Sequence, residues 1–423
     1  MSSGSGTLIA AVEAQAKAAD RAAVVMQSVT AERKNQALEG LAHELEGNHE
    51  AVLAQNRLDV AAAAATGAST AFLDRLNLNH GRMLALAQAV REVIALPDPV
   101  GEVTGRWRRP NGLRIVRQRV PIGVIAIIYE SRPNVTVDAS VLCLKAGNAV
   151  ILKGGTQALN TNRALASMVS AALAAQGLPA GAVQFLDTGN RDAVAALVRM
   201  DSFVDLVIPR GGEDMIRKIK EMSTVPVLGH GKGLCHVYVD RAADPGMAEE
   251  IVFNAKVSRP GVCNAMETLL VHREAAQTFL PRIAERLSLA GVELRGDERA
   301  RAIVPLMKQV TAEDWGTEYL DLILSVGVVD GLDAAIEHIN TYSSQLADAI
   351  VTEDRKAAKK FLDLVDSAAV YHNASTRFTD GGEFGFGAEI GIATGRLHAR
   401  GPMGLKELTS QKYLVYGTGQ VRG

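Results

Sequence analysis

From residue 121 onward, apolar segments typical of buried β-strands alternate with segments of helical length and spacing. Val124–Tyr129 is continuously apolar and rich in β-branched residues, as expected for a strand covered on both faces. The alternation continues to residue 240, and a second α/β unit begins near Ala255 and runs to His372. This pattern predicts mainly parallel, doubly wound sheets, which bind ligands at the carboxyl ends of their strands.

The segments on either side of this alternation have a different character. The first 95 residues are predicted to be helical, most clearly in Thr30–Gly47, which has a capping residue at its start and glycine at its end. In Gly101–Val120, the turn Pro110-Asn111-Gly112 precedes an alternating run and predicts a β-hairpin. Because this hairpin is rich in arginine, we expect a protruding arm, and Thr409–Tyr416 is a further candidate strand.

Charge and composition exclude several classes of protein. Lys and Arg number 45 against 47 Asp and Glu, and no basic run occurs, which argues against a nucleic-acid or membrane-surface protein. The uncharged segment Ala164–Leu186 is broken by Gly177-Leu178-Pro179, so it predicts no membrane span. The three cysteines are far apart, and the nine histidines lack metal-ligand spacing. We therefore expect a soluble, cytoplasmic protein without a signal peptide, a disulfide framework or a metal site.

Cys263 is the strongest candidate nucleophile. It follows Pro260-Gly261 in a loop that leads into a strand, and Lys256 and Arg259 are close enough in sequence to favour the thiolate. The alternative for any cysteine is a buried, small apolar residue. That alternative fits Cys143, which lies in an apolar helical segment.

Two glycine loops and three arginines are candidate anion-binding groups. Lys153-Gly154-Gly155 and Arg210-Gly211-Gly212 each follow an apolar strand and precede a helix, where backbone amides can hold a phosphate. The G-x-G-x-x-G fingerprint is absent, so a dinucleotide site here differs from the ordinary Rossmann site. Arginines next to turns can bind a carboxylate or phosphate, although surface solvation or a structural ion pair is the alternative for each. They are Arg132, Arg259 and Arg377.

Several motifs resemble those of the aldehyde dehydrogenase superfamily: Val120–Val124, Ala146–Lys153 and the Gly261-Val262-Cys263 loop. Longer motifs resemble, within it, the glutamate-5-semialdehyde dehydrogenase family: Tyr129–Thr136, Asn373–Gly382 and Leu397–Leu405. The likeness extends from about residue 10 to the C-terminus. It implies NADPH-dependent reduction of L-glutamyl 5-phosphate to L-glutamate 5-semialdehyde and phosphate, the second step of proline biosynthesis from glutamate.

The resemblance also implies how the chemistry is divided among residues. Cys263 matches the catalytic cysteine, which would form a thioester for reduction by NADPH. For the oxyanion hole, which also uses the amide of the cysteine, the alignment leaves Asn134 and Ser131 open. Two other functions remain as alternatives. One is a superfamily reductase acting on another semialdehyde or an acyl-CoA, and the other is a non-catalytic protein with this fold.

Cofactor residues follow from the same alignment. Thr156 occupies the position where NAD-preferring relatives hold the adenosine ribose with a glutamate, which leaves room beside Lys153 for the 2′-phosphate of NADP. Glu318 aligns with the glutamate that holds the nicotinamide ribose. Arg210, Gly211 and Gly212 align with the loop beside the cofactor.

At two positions the sequence differs from the residues that related enzymes usually have. Leu228 occupies the place of the glutamate that activates water in hydrolytic aldehyde dehydrogenases, which suits a thioester that must not be hydrolysed. Leu346-Ala347 precedes Asp348, where the family pattern usually has a histidine and a hydroxyl residue. We interpret the second departure as tuning of the activity.

The resemblance further implies a domain organisation and partners. The implied domains are an NADP-binding domain (1–102 and 121–254, with 372–400 returning to it), a catalytic cysteine domain (255–371) and an oligomerisation arm (103–120 and 401–423). Arm strands can pair with the sheet edge of a neighbouring chain. We therefore expect a homo-oligomer, either a dimer or a tetramer. A separate glutamate kinase would supply the substrate, with channelling between the two enzymes.

Overall fold

The computed structural model describes residues 3–422, which form two compact units. Of the described residues, unit 1 comprises 3–229, 386–391 and 403–422, and unit 2 comprises His230–Gly385 and Ile392–Pro402. Met1, Ser2 and Gly423, which fall within the predicted domain ranges, lie outside the described residues. The predicted α/β class is confirmed, because each unit contains a parallel sheet whose strands are connected through helices.

Helices occupy most of the first 95 residues and separate the strands thereafter. The Thr30 side chain accepts a hydrogen bond from the backbone N–H of Arg33 and caps the second helix as predicted. Across residues 3–422, every helix is too short or too polar to cross a lipid bilayer. The α-helices are α1 (Ser3–Met26), α2 (Ala31–Gly47), α3 (Glu50–Ala65), α4 (Thr70–Leu76), α5 (His80–Ala95), α6 (Asn134–Lys145), α7 (Leu159–Ala175), α8 (Asp192–Leu197), α9 (Glu213–Met222), α10 (Pro245–Val257), α11 (Arg273–Leu289), α12 (Glu298–Ile303), α13 (Leu332–Tyr342) and α14 (Arg355–Leu364).

The strands also follow the predicted order. The run Val225–Leu228, predicted as a strand, contributes a single bridge, between Val227 and Val207. The strands are β1 (Val103–Arg108), β2 (Arg114–Pro121), β3 (Val124–Tyr129), β4 (Ala149–Lys153), β5 (Val183–Phe185), β6 (Leu206–Arg210), β7 (Cys235–Val239), β8 (Met266–His272), β9 (Glu293–Gly296), β10 (Lys308–Gln309), β11 (Ile323–Val329), β12 (Ala347–Val351), β13 (Ala369–His372), β14 (Gly391–Ala393), β15 (Gly401–Met403) and β16 (Thr409–Tyr416).

Unit 1 is organised around a four-stranded parallel sheet in the order β5-β4-β3-β6. Every residue of β3 and β4 is buried, and Val12 of α1 and Ile219 of α9 belong to the buried cluster that covers the sheet. Full burial of one such aliphatic side chain contributes about 1.5–3 kcal/mol. The register pairs Ile128 with Lys153, so β3 and β4 end at the same edge of the sheet. This edge positions the candidate functional residues of unit 1.

Unit 2 contains a seven-stranded sheet in the order β10-β9-β11-β8-β7-β12-β13, in which neighbouring strands pair in parallel. The observed boundary at Gly229 differs from the predicted one at residue 254, because β7 pairs with both β8 and β12 and so belongs to this sheet. Residues 372–385 and 392–400, predicted to return to the cofactor domain, also belong to unit 2. β13 leads directly into this segment.

The predicted hairpin is present as β1 and β2, and β16 completes a three-stranded antiparallel sheet. At its turn, Gly112 has a φ of +93°, a conformation that glycine adopts without strain. Trp107 and Tyr413 meet edge to face with ring centroids 6.1 Å apart, and both remain substantially exposed. The role of this sheet in oligomerisation stays a prediction.

Candidate functional site

A cavity of about 630 Å³ lies at the strand-end edge of the unit 1 sheet. Lys153, the last residue of β4, is buried, and its Nζ donates a hydrogen bond to the carbonyl oxygen of Gly154 at 2.7 Å. Burial lowers the pKa of this lysine. The residues that line the cavity are Phe72, Arg75, Ile128, Tyr129, Glu130, Ser131, Arg132, Lys153, Gly154, Gly155, Thr156, Gln157, Gly189, Asn190, Arg191, Val194, Met215, Lys218, Ile219 and Met222.

Close packing explains the two glycines after Lys153. A Cβ at Gly154 would lie 2.1 Å from Asn162 Nδ2 and 3.0 Å from the Tyr129 ring. At Gly155 it would lie 2.5 Å from Ser131 Oγ. The distances of 2.1 Å and 2.5 Å are too short for a real Cβ, so the path of the loop after β4 favours glycine at both positions. Close packing of the main chain at Gly154 and Gly155 therefore determines the path of the predicted glycine loop.

The cavity lining combines apolar side chains with several cationic ones. Four apolar side chains of the lining come from α8 and α9; they are Val194, Met215, Ile219 and Met222. The cationic side chains of the lining are Lys153, Arg75, Arg132, Arg191 and Lys218. The Glu130 carboxylate, also in the lining, already accepts a hydrogen bond from the backbone N–H of Gly212 at 2.7 Å. Such a lining suits a ligand with a flat apolar part and several negative charges.

The predicted cofactor residues divide between two positions. Lys153 and Thr156 line the cavity, whereas Arg210, Gly211 and Gly212 lie outside its lining as traced over the described residues. A Cβ at Gly211 would lie 2.3 Å from Met215 Cε, so this loop is also closely packed. Because the Gly212 N–H donates its hydrogen bond to Glu130, a carboxylate already lies at the N-terminus of α9 and accepts from this amide. The role of the 210–212 loop in binding a cofactor stays a prediction.

The two candidates for the oxyanion hole have different partners. Asn134, the first residue of α6, donates from Nδ2 to Asp138 Oδ2 at 2.9 Å. Ser131 is buried, lines the cavity, and donates from Oγ to Gln157 Oε1 at 2.8 Å. Burial raises the pKa of Asp138 to about 6, although the Asn134 bond and the Arg210 charge oppose the rise. Sequence reasoning missed Asp138, whose spacing from Asn134 is that of neighbours on one helix face.

In unit 2, Cys263 lies in the loop between α10 and β8 and is half-buried. Cys143 and Cys235 are buried, and burial raises the pKa of both thiols. Cys235 Sγ donates to the carbonyl oxygen of Cys263 at 3.3 Å. A Cβ at Gly233 would lie only 2.1 Å from the same oxygen, so the 233–235 segment packs directly against the backbone of the candidate nucleophile.

Two of the three candidate arginines lie beside this loop. The Arg377 guanidinium contacts Asn264 Oδ1, and its Nε donates to Ser258 Oγ at 3.2 Å. Asn264 Nδ2 in turn donates to the carbonyl oxygen of Thr379 at 2.9 Å. Burial, and then the positive charge of Arg259, lowers the pKa of Arg377. Asn264 was missed by sequence reasoning, although its place directly after the cysteine is a usable signal.

Glu318 is held by the segment that packs against the backbone of Cys263. Its Oε1 accepts a hydrogen bond from the backbone N–H of Gly233 at 2.9 Å, and Lys232 Nζ donates to the carbonyl oxygen of Gly316 at 3.2 Å. Unit 2 thus brings together four predicted site residues: Cys263, Glu318, Arg259 and Arg377. Unit 1 contains the others, namely Arg132, Asn134, Lys153, Thr156, Arg210, Gly211 and Gly212.

The two departures from relatives lie in different units. Leu346 is fully buried and belongs, with Cys235, to the apolar cluster against which Cys263 packs. Asp348 accepts hydrogen bonds from the backbone N–H of His236 at 2.8 Å and from Ser343 Oγ at 2.6 Å. The Leu346 departure therefore makes the surroundings of the thiol more apolar. Leu228 is buried in unit 1.

Comparison with known families identifies the class. The Aldehyde dehydrogenase family matches residues 7–323, which is most of the chain. The chain therefore belongs to the aldehyde dehydrogenase family and is an oxidoreductase. Enzymes of this family use a nicotinamide dinucleotide, NAD or NADP, as cofactor.

Individual relatives narrow the class further. The gamma-glutamyl phosphate reductase of Moorella thermoacetica is 55% identical over 411 residues, which is 97% of this chain and 98% of that protein. The gamma-glutamyl phosphate reductase of Carboxydothermus hydrogenoformans is 56% identical over 408 residues, 96% of this chain and 98% of that protein. The crystal structure of the gamma-glutamyl phosphate reductase of Thermotoga maritima has a TM-score of 0.96 at 48% identity, covering 97% of this chain and 100% of that one. The resemblance drawn from sequence motifs is confirmed.

Proposed function

We propose that this enzyme reduces L-glutamyl 5-phosphate to L-glutamate 5-semialdehyde and phosphate with NADPH, the second step of proline biosynthesis from glutamate. The observation that carries the proposal is a sequence identity of 48–56%, over nearly the full length of the chain, to enzymes named gamma-glutamyl phosphate reductase. The surroundings of Cys263 support it, because a half-buried thiol with two arginines nearby suits an anionic acyl donor.

Cys263 acts as the nucleophile. Its thiolate attacks the acyl carbon, the bond to the phosphate oxygen breaks, and phosphate leaves with the electron pair of that bond. The resulting thioester keeps the acyl group on the enzyme. The amide of Cys263, together with Asn134 or Ser131, stabilises the oxyanion of each tetrahedral intermediate. Leu228 supplies no base for water, which protects the thioester from hydrolysis.

Arg259 and Arg377 bind the anionic groups of the substrate in this proposal. Arg377 is the better positioned, since Asn264 and Ser258 hold its guanidinium in one orientation. A guanidinium held in this way can bind a carboxylate through two parallel hydrogen bonds. Arg132 is exposed and lines the cavity of unit 1, where it suits a phosphate of the cofactor.

The unit 1 cavity fits a nicotinamide dinucleotide phosphate. Its volume of about 630 Å³ lies within the range of cofactor sites, and the apolar side chains in its lining suit the adenine ring. Lys153 and the neutral Thr156 would hold the 2′-phosphate of NADPH, and Arg191 and Lys218 add positive charge to the same lining. Glu318 would hold the nicotinamide ribose. When bound, NADPH supplies the hydride that converts the thioester to an aldehyde.

Three further expectations belong to the same proposal. The enzyme acts in the cytoplasm, where its cysteines stay reduced. The three-stranded arm sheet joins copies of the chain into a homo-oligomer, because β1 and β16 leave unpaired sheet edges within the described chain. A glutamate kinase supplies L-glutamyl 5-phosphate, and channelling between the two enzymes would spare this reactive acyl phosphate from water.

The proposal is tested by running the reaction backwards. Purified enzyme is supplied with pyrroline-5-carboxylate, the cyclic form of the semialdehyde, and NADP, and NADPH formation is followed with phosphate, with coenzyme A, or with neither. Turnover that requires phosphate is the expected result. Turnover that requires coenzyme A would establish the acyl-CoA alternative instead. Turnover that needs neither acceptor would contradict both the proposal and the interpretation of Leu228.

A further inference from the structure

We propose that the buried Lys256–Glu267 ion pair positions the loop that carries Glu318 and, through it, the backbone around Cys263. Lys256 lies in the last turn of α10 and Glu267 in β8, so the pair flanks the cysteine loop on both sides. Glu267 has no part in the chemistry proposed above, and Lys256 was predicted only as a nearby positive charge that favours the Cys263 thiolate. The inference rests on the proposed function for the role of Glu318, whereas the positioning of the loop can be measured independently.

Burial of this pair is unusual for a lysine and a glutamate. The side chains are 0% and 1% exposed, and Lys256 Nζ lies 2.7 Å from Glu267 Oε2. Desolvating two charges costs more than their attraction commonly recovers, and apolar residues of similar volume often stabilise a fold equally well. Stability alone is therefore a poor explanation for this pair. A structural role that needs a fixed acceptor oxygen explains it better.

Glu267 has such a role through its other carboxylate oxygen. Glu267 Oε1 accepts a hydrogen bond from the backbone N–H of Leu320 at 3.2 Å. Leu320 has a φ of +55°, in the left-handed region that leucine rarely adopts. Such a conformation persists where the surroundings hold it in place. The Lys256 ammonium also lies 6.0 Å from the Tyr319 ring centroid, within the range of a cation–π contact.

The next contacts lead from this loop to the nucleophile. Glu318 accepts the Gly233 N–H at 2.9 Å, and the Gly233 backbone packs against the Cys263 carbonyl without room for a Cβ. A displacement at Leu320 would therefore reach Glu318, then Gly233, and then the backbone of Cys263. We classify Lys256 and Glu267 as positioning residues, because they act through these contacts and not on the substrate.

Two double variants separate the acceptor oxygen from the charges. Lys256→Met with Glu267→Gln removes both charges and keeps a side-chain oxygen for Leu320 N–H. Lys256→Met with Glu267→Leu removes both charges and the acceptor. Hydrogen exchange of residues 316–322 is followed by mass spectrometry, KM for NADP and kcat are measured in the reverse reaction, and thermal unfolding reports stability.

The positioning role predicts a difference between the two double variants. In the leucine variant we expect exchange of residues 316–322 and KM for NADP each to rise about tenfold, the equivalent of one lost hydrogen bond, with a smaller change in kcat. In the glutamine variant we expect both values to stay within about twofold of the wild type. Equal behaviour of the two variants, whether normal or impaired, would overturn the inference.

Two further variants allow the inference to be tested if the leucine variant does not fold, and separate it from the proposed function. If the leucine variant does not fold, Glu267→Asp retains the charge beside Lys256 but shortens the reach to Leu320, so the same rise in exchange is expected. Unchanged exchange in this variant would also overturn the inference. Glu318→Gln tests the proposed function separately. A normal KM for NADP in that variant would refute the cofactor role of Glu318, while the exchange data would still decide whether Glu267 holds the loop.

Discussion

The two units hold their candidate functional residues in different ways. In unit 1, the cavity at the strand ends depends on main-chain path, because Gly154 and Gly155 have no room for a Cβ. In unit 2, the cysteine loop is held by side chains, with Asn264, Arg377 and Glu318 bonded to its neighbours. The difference indicates that single side-chain deletions should be most damaging in unit 2. Small additions to the backbone should be most damaging in unit 1.

The largest effect is expected from Cys263→Ala. Because the thiolate is the proposed nucleophile, phosphate-dependent NADPH formation should fall by at least about 10³-fold. Cys143→Ala is the matched control, since it removes a buried thiol from α6 of unit 1 and should change turnover by less than about twofold. Residual activity of Cys263→Ala within about tenfold of wild type would show that this thiol is not the nucleophile.

Arg377→Met should have the next largest effect. Loss of a charge-assisted contact to the substrate carboxylate should raise KM for pyrroline-5-carboxylate by about 10–100-fold, with KM for NADP nearly unchanged. Arg273→Met, which removes an exposed arginine of the same unit, should leave both constants as in the wild type. If kcat falls while KM for the substrate stays constant, Arg377 acts only by holding Asn264 and Ser258.

Gly154→Ala tests the unit 1 side of the comparison. The added Cβ would collide with Asn162 and Tyr129, so we expect KM for NADP to rise about tenfold or more and the melting temperature to fall. Gly40→Ala, in α2 with open space around it, should leave KM unchanged and stabilise the protein by about 0.5–1 kcal/mol. A smaller rise in KM for NADP in Gly154→Ala than in Lys153→Met would contradict our interpretation that the path of the main chain matters more than single side chains in this cavity.

The smallest effect concerns Asp138. Its pKa of about 6 is above the ordinary 3.8, so the folded state binds the proton more tightly and stability falls as pH rises between about 4 and 6. Asp138→Asn keeps an acceptor for Asn134 and removes this titration. Its gain in unfolding free energy over the wild type should be larger at about pH 7.5 than at about pH 4, by up to about 2 kcal/mol. Urea unfolding at the two pH values measures this, and an equal difference at both would contradict the account.

Much of this fold could be predicted because long periodic segments dominate it. Two strands are predicted with their observed bounds, Val124–Tyr129 and Thr409–Tyr416. The first is uniformly apolar, and the second follows the glycine-rich segment that precedes the C-terminus. β9 and β10 were not predicted, because strands this short show no periodicity. The compact units divide at Gly229 and the sequence predicts a boundary at residue 254; the pairing of β7 with β8 and β12, on which the division depends, is a non-local property.

Candidate site residues can be proposed from sequence where one residue carries a chemical signal. Cys263 stands out through its loop, and the glycines after Lys153 through their spacing. The contacts of Asn264 and Asp138 were not predictable, because their partners lie in distant segments or depend on burial. Lys256 was noticed only as a nearby positive charge, whereas the structure pairs it with Glu267. Sequence reasoning thus suggests candidate reacting groups more readily than the groups that hold them.

The most direct test of the account is to trap the acyl group on Cys263. Enzyme is mixed with NADP and pyrroline-5-carboxylate without phosphate, quenched in acid and examined by intact and peptide mass spectrometry. We predict one glutamyl group per chain, located on the peptide that contains Cys263 and removed when phosphate is added before the quench. An unmodified Cys263 peptide under turnover conditions, or an acyl group on Cys143 or Cys235, would contradict the account.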